Sequence, residues 1–269
     1  MKRSLKYFAA LPLLAFTFVS KSDAQIISRG DLFGPGAPPP FVGLFAGLGK
    51  HAQQGTFSAS CGCTFESGDG NGLLAGAFFE LPIDYEWAIG LAAGYDGKHT
   101  ATKVDRNEEA IVQDQNGNTD KAILEVDRTS SIKTNYLLIA PYAQYQFFRM
   151  GPFVQAGPAI DVLIGSTYEQ NRELVQTKAT INGQLATNLR FQNGTTTEPI
   201  DTQQEIPGVA GLRLGLLISA GYNIQVSERS VFSPLLTYDF PLTTISTTNA
   251  NGWKIGSLYA SAEIKFRLD

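Results

Sequence analysis

The stretch LYASAEIKFRL, Leu258 to Leu268, alternates without interruption. Leu258, Ala260, Ala262, Ile264, Phe266 and Leu268 hold the even positions, and Tyr259, Ser261, Glu263, Lys265 and Arg267 the odd ones. Side chains of a strand point to alternate faces. One face of this strand is therefore wholly apolar, and the other carries three charges in succession. A sheet built from such strands needs a different environment on each side.

The same pattern recurs from Phe41 onward. It appears in Val42–Leu48, in Leu73–Ile83 with Glu80 on the polar side, in Trp87–Tyr95, and in Leu137–Phe147. Residues 152–164 put Gln155 and Asp161 opposite Val154, Ala156, Ile160 and Val162. Leu212, Leu214, Leu216, Ile218, Ala220, Tyr222 and Ile224 oppose Arg213, Ser219 and Asn223. Phe232, Leu236, Tyr238, Phe240 and Leu242 oppose Ser233, Thr237 and Asp239, and the stretch quoted first completes eight strands.

The connections alternate in length. Asp84-Tyr85-Glu86, Arg149-Met150 and Ser227-Glu228-Arg229 are short, whereas about 52–71, 98–131, 168–206 and 246–252 are longer and polar. Gln115–Asn118 (QNGN) and Ile181–Gln184 (INGQ) each contain Asn-Gly, which favours a two-residue hairpin turn, so the strands are expected to run on as hairpins there. Short turns at one end and long loops at the other are the arrangement of an up-and-down transmembrane barrel.

Export is also expected. Met1-Lys2-Arg3 precedes an apolar run from Tyr7 to Val19, and Ser22-Asp23-Ala24 provides a cleavage site, so residues 1–24 read as a signal peptide. Residues 25–40 contain GPGAPPP and read as a linker, leaving 41–269 for the barrel. Removal of the signal takes away a net +3 (Lys2, Arg3, Lys6, Lys21, Asp23) and leaves −4 − 3 = −7, which argues against a nucleic-acid partner. After it there is no run of about 18 apolar residues, so no helical span is expected. In hydrocarbon every backbone polar group needs an internal partner, and a closed sheet supplies it.

The expected fold is thus all-β: an eight-stranded antiparallel up-and-down transmembrane β-barrel, with short periplasmic turns and long extracellular loops. Leu212, Leu214, Leu216, Ile218, Leu258, Ile264 and Phe266 face lipid. Glu80, Asp161, Arg213, Asp239, Glu263, Lys265 and Arg267 form a charge network that plugs the lumen. Trp87, Phe147, Phe148, Phe153, Phe232 and Phe266 are expected in a periplasmic aromatic girdle, and Trp253, Tyr238 and Phe240 in an outer one. A turn at Arg149-Met150 makes pairing partners sum to 299, which sets Pro141 against Pro158 and predicts a bulge or an open ladder.

NYLLIAPYAQYQF (135–147) into GPFVQAGPAIDVLIG (151–165), LRLGLLISAGYNI (212–224) and the closing strand resemble the PorT-like outer-membrane β-barrel family of Bacteroidota. The resemblance covers roughly 41–269 through soft patterns of Gly, Pro and alternation, and brings no catalytic residues. It implies a small barrel in the bacterial outer membrane with a structural or interaction role. Outer-membrane lipids are its expected partners, with envelope or secretion proteins as further candidates.

Chemistry-bearing residues are few. Cys61, Cys63, His51 and His99 are the candidate metal ligands, and their bland reading is four loop or rim residues with no joint role. No cofactor is expected. Three readings compete with a plugged, non-enzymatic barrel: a narrow pore, a lipid-modifying barrel enzyme with His51 or His99 at the rim, and a soluble lipocalin-like binder. The last requires an apolar lumen and a polar exterior.

Overall fold

The computed structural model describes residues 39–58, 64–148, 150–181, 184–206, 208–246 and 252–268. The expected signal peptide, the linker apart from Pro39 and Pro40, and Cys61 and Cys63 lie outside the described residues. The strands are β1 (Phe41–Gln54), β2 (Phe57–Ser58), β3 (Thr64–Phe65), β4 (Gly68–Pro82), β5 (Trp87–Gln113), β6 (Thr119–Gln146), β7 (Pro152–Leu174) and β8 (Lys178–Ile181). They continue with β9 (Gln184–Thr187), β10 (Arg190–Phe191), β11 (Thr197–Gln204), β12 (Leu212–Tyr222), β13 (Ile224–Gln225), β14 (Ser230–Pro241) and β15 (Lys254–Arg267).

Eight of these close a ring of antiparallel neighbours, in the order β1, β4, β5, β6, β7, β12, β14, β15 and back to β1. Closure leaves no sheet edge within the ring, which is the condition for putting a sheet into hydrocarbon. The outward face is apolar all round. Leu44, Leu48, Leu91, Leu212, Leu214, Ile218, Leu236, Leu258, Ile264 and Phe266 are exposed, and Leu216 is half-buried on the same side. Arg213, Ser219, Asp239, Glu263 and Lys265 are buried inside. This phase is the reverse of the one a soluble lipocalin-like barrel requires, and it overturns that reading.

On β5 the outward apolar band runs from Trp87 to Tyr95, and the outward residues beyond it include His99, Lys103 and Asp105. A run of roughly nine residues is what a tilted strand needs to cross the hydrocarbon. At the short-turn end, Asp84 Oδ1 accepts from the backbone N of Glu86 and of Trp87, both at 2.7 Å, and so fixes the β4–β5 turn.

Two aromatic expectations are corrected. Phe153 shares the parity of Gln155 and Asp161 and is 1% exposed in the lumen, so it does not belong to the girdle. Trp253 is fully buried beneath the long loops. Trp87, Phe147, Phe148, Phe232, Tyr238 and Phe240 are exposed.

The segments 98–131 and 168–206 are largely sheet. β5 and β6 pair continuously from Trp87↔Tyr145 to Gln113↔Thr119, and β7 accompanies β6 as far as Leu174. β10 joins β5 at Gln113 and Val112, and β11 joins β7 between Tyr168 and Glu173. We call this extension the arm. It has a core of its own, in which Val112, Leu124, Val126, Leu189 and Phe191 are all but inaccessible. At its tip Asp114 N donates to Asn118 O at 3.0 Å, and Gly117 has φ +85°. Asn116-Gly117 therefore ends a three-residue loop with a left-handed glycine. It is not the two-residue turn that the sequence suggests, because Asp114 Oδ1 also accepts from the N of Asn116 and Asn118. β8 and β9 form the second hairpin.

Candidate functional site

The lumen is filled by two ionic layers with a cavity between them. Alternation along each strand places the members, and the ring brings together residues far apart in sequence.

The layer nearer the long loops is built from β5, β7, β12, β14 and β15. Lys98 Nζ lies 2.7 Å from Asp96 Oδ2 and 2.8 Å from Asp239 Oδ2, and donates to Ser257 Oγ and Tyr259 Oη at 3.0 and 2.8 Å. Arg213 Nη2 donates to Asp239 Oδ2 at 2.7 Å and to Ile255 O at 3.1 Å, while Arg213 Nη1 donates to Asp161 Oδ2. Tyr259 Oη donates to Asp96 Oδ1 at 2.5 Å. These charged side chains are all but inaccessible to solvent. Burying a charge is costly unless it is paired. Here three carboxylates meet two cations, a formal −3 + 2 = −1.

Asp96, Asp161 and Asp239 bring carboxylate oxygens within 4.8 Å of one another, a spacing that suits a metal ion. Lys98 and Arg213 already pair with these carboxylates, so side-chain cations hold the positions a metal ion would take and offset all but one of the three negative charges. His51 stands beside this layer. It is 2% exposed, its Nδ1 is 2.8 Å from Ser257 Oγ, and it packs over Gly72, where a Cβ would lie 2.1 Å from Nε2. His99 has the opposite orientation. It sits on the outward side of β5, with Nε2 2.9 Å from Ser131 Oγ. The two histidines thus occupy opposite faces of the wall and share no site.

The layer near the short turns centres on Lys265. Its Nζ lies 2.8 Å from Glu80 Oε2, 3.6 Å from Glu263 Oε2 and 3.3 Å from Gln144 Oε1, over the rings of Phe153 and Phe78. Tyr142 Oη donates to Glu80 Oε2 at 3.2 Å, and Gln155 Nε2 to Gln144 Oε1 at 2.9 Å. Arg267 is half-buried at the mouth below, where its backbone N donates to Arg229 O at 2.9 Å.

Above the first layer an apolar plug closes the bore. Phe57 of β2 packs on Trp253 at 4.8 Å and on Tyr168 at 5.7 Å between ring centroids, with Phe65, Ile132, Ile206, Ile245 and Ile255 around them. Gln53 Nε2 donates to Phe65 O at 2.8 Å and ties this plug to the rim. Further out, Glu108 bridges Arg128 and Arg172, and Arg172 also pairs with Glu198.

Sequence reasoning missed Asp96, Lys98, Tyr259 and the lumenal position of His51 as members of the layer. Parity is the signal that finds His51, which follows Phe45, Gly47 and Gly49 on the inward side of β1. Asp96 and Lys98 become legible only once β5 is known to continue past Tyr95.

A family model described as outer membrane protein beta-barrel domain matches residues 54–247. Among solved structures, Neisserial surface protein A is 14% identical over 87% of this chain and 99% of its own, with a TM-score of 0.36. Ail, the attachment invasion locus protein of Yersinia pestis, is 8% identical over 85% and 99%, with a TM-score of 0.31. The outer membrane protein OprG from Pseudomonas aeruginosa is 12% identical over 87% and 98%, with a TM-score of 0.32. No curated protein sequence matches the chain.

Proposed function

The chain belongs to the outer membrane protein beta-barrel domain family, and from that premise we propose that it is a sealed, non-enzymatic barrel whose work is done by the arm it carries. One observation carries this reading. Three wall strands leave the ring and continue as a sheet with its own apolar core, above a lumen closed by two ionic layers and an aromatic plug. A conduction path has no use for such an extension, whereas a docking platform needs both the reach and the rigidity. On this reading the arm is extracellular and the short turns are periplasmic.

Within the family the chain is PorT-like, which fits a role with other envelope or secretion proteins. Residues 1–24 act as the export signal and 25–40 as a linker to the barrel. The non-enzymatic reading rests on access. Among the described residues, Ser257 with His51 is 1% and 2% exposed and so out of a substrate's reach. The half-buried pair of Ser131 with His99 on the outward side of β5 is read as a bond that ties two strands together.

A photo-crosslinking residue at Ile123, on the exposed face of the arm, tests the proposal in intact cells, with Ile218 on the apolar band as the comparison. Adducts to envelope proteins at Ile123 and to lipid alone at Ile218 are expected. Lipid or no adduct at Ile123, or stepwise ion conductance of the purified chain in planar bilayers, would overturn it.

A further inference from the structure

Between the two ionic layers lies a cavity of about 60 Å³. Phe45, Leu74, Leu138 and Leu217 give it a largely apolar wall, with Ser261 and Glu263 among its polar groups. Two further lining residues, Pro141 of β6 and Ala156 of β7, have the outward parity of their strands. A space inside the ring thus reaches lipid-facing residues at one seam of the wall.

The ladder is interrupted at the same seam. β6 and β7 pair at Ile139↔Ile160 and again at Ala143↔Ala156, with no pairing in between. Both pairs sum to 299, so Pro141 stands opposite Pro158. Opposed residues of an antiparallel ladder exchange two N–H···O bonds at alternate pairs, and neither proline has an N–H to give. The defect is confined to this seam. On their other edges Pro141 pairs with Leu91 and Pro158 with Leu216. No side chain covers the inner side of the seam at Gly157, where β6 approaches so closely that a Cβ would lie 2.0 Å from Pro141 O. Unpaired backbone groups are costly in hydrocarbon, and here two prolines in register impose them.

We infer that the β6–β7 seam at Pro141 and Pro158 is a lateral portal, through which the end of a lipid acyl chain enters the lumenal cavity from the bilayer. The occupant follows from the surroundings. Leu91, Leu216 and Ala156 place the seam within the outward apolar band, so hydrocarbon is the medium that meets it. The axial routes are closed above and below by ion pairs. Of the polar groups of the wall, Ser219 Oγ is committed to Thr237 Oγ1 at 2.9 Å and Tyr142 to Glu80, while Ser261 Oγ and Glu263 Oε2 have no hydrogen-bond partner among the described residues; the rest of the wall is largely apolar. Parting the strands here breaks no backbone hydrogen bond across the three unpaired positions. The portal is independent of any docking by the arm.

The test uses the full chain in vesicles of phospholipid carrying a diazirine on the acyl chain, with adducts mapped to residues after irradiation. Adducts are expected at lumen-facing Leu138 and Leu217 as well as on the outward band. In the double variant Pro141→Val/Pro158→Val, which restores both donors, the lumen adducts should fall to background while the outward ones persist. Unchanged heat-modifiable migration verifies that the double variant is folded. If it does not fold, Leu217→Trp fills the cavity and should abolish the adduct at Leu138. Adducts confined to the outward band in the unaltered chain would overturn the inference. So would lumen adducts that survive in the zipped variant, or, where Leu217→Trp is used, an undiminished adduct at Leu138.

Discussion

Lys98 and Asp239 are separated by 141 residues in the chain and by 2.8 Å in the lumen. Asp239 accepts from Arg213 through the same oxygen, so one carboxylate holds two cations away from solvent. Asp239→Ala should therefore leave both partly uncompensated, and breaking a buried pair in this way costs about 3–5 kcal/mol. Urea unfolding in lipid vesicles measures it. A loss below about 1 kcal/mol, the scale of an exposed pair, would show that the layer is not sealed from water.

The outward face should respond to charge according to depth. Ile218 lies near the middle of the outward run of β12 and Leu212 at its long-loop end. Ile218→Arg should cost about 2–4 kcal/mol, and Leu212→Arg about 0–1 kcal/mol. Equal effects in the same unfolding assay would mean that the band is not aligned with the bilayer as described.

The two tryptophans should report opposite surroundings. Trp87 is 46% exposed on the apolar band, whereas Trp253 is fully buried in the plug. In Trp253→Phe, brominated lipids should quench the remaining emission strongly. In Trp87→Phe, the emission should be blue-shifted and resist both brominated lipids and aqueous iodide.

The arm tip should loosen in acid. Hydrogen bonds from the Asn118 side chain and from the Asn118 and Asn116 backbone hold the Asp114 carboxyl below its usual pKa. A depressed folded pKa favours the hairpin above the unfolded value of about 3.9, and that contribution is lost as the pH falls through the lower folded value. Hydrogen exchange at Asn116 and Asn118 should quicken in that window, and Asp114→Asn should remove the pH dependence.

Most of the ring was legible because lipid demands an apolar residue at every second position, as at Leu212–Ile218 and Leu258–Phe266. The opposition of Pro141 to Pro158, and the open ladder there, followed from one turn position and simple addition. The arm was not legible, because the demand ends where the bilayer does. From Lys103 to Glu109 the outward residues are Lys103, Asp105, Asn107 and Glu109, so the strand continues with neither face uniformly apolar. Lys98 and Asp96 were lost to the reading for the same reason. Trp253 precedes its strand, and the parity of a strand says nothing about a residue outside it.

The central claim is the inside-out wall, and nitroxide labels placed singly at positions 212–220 of β12 test it most directly. Oxygen, which collects in the bilayer, should relax labels at 212, 214, 216, 218 and 220 and spare those at 213, 215, 217 and 219. An oscillation of the opposite phase, or none, would contradict the account.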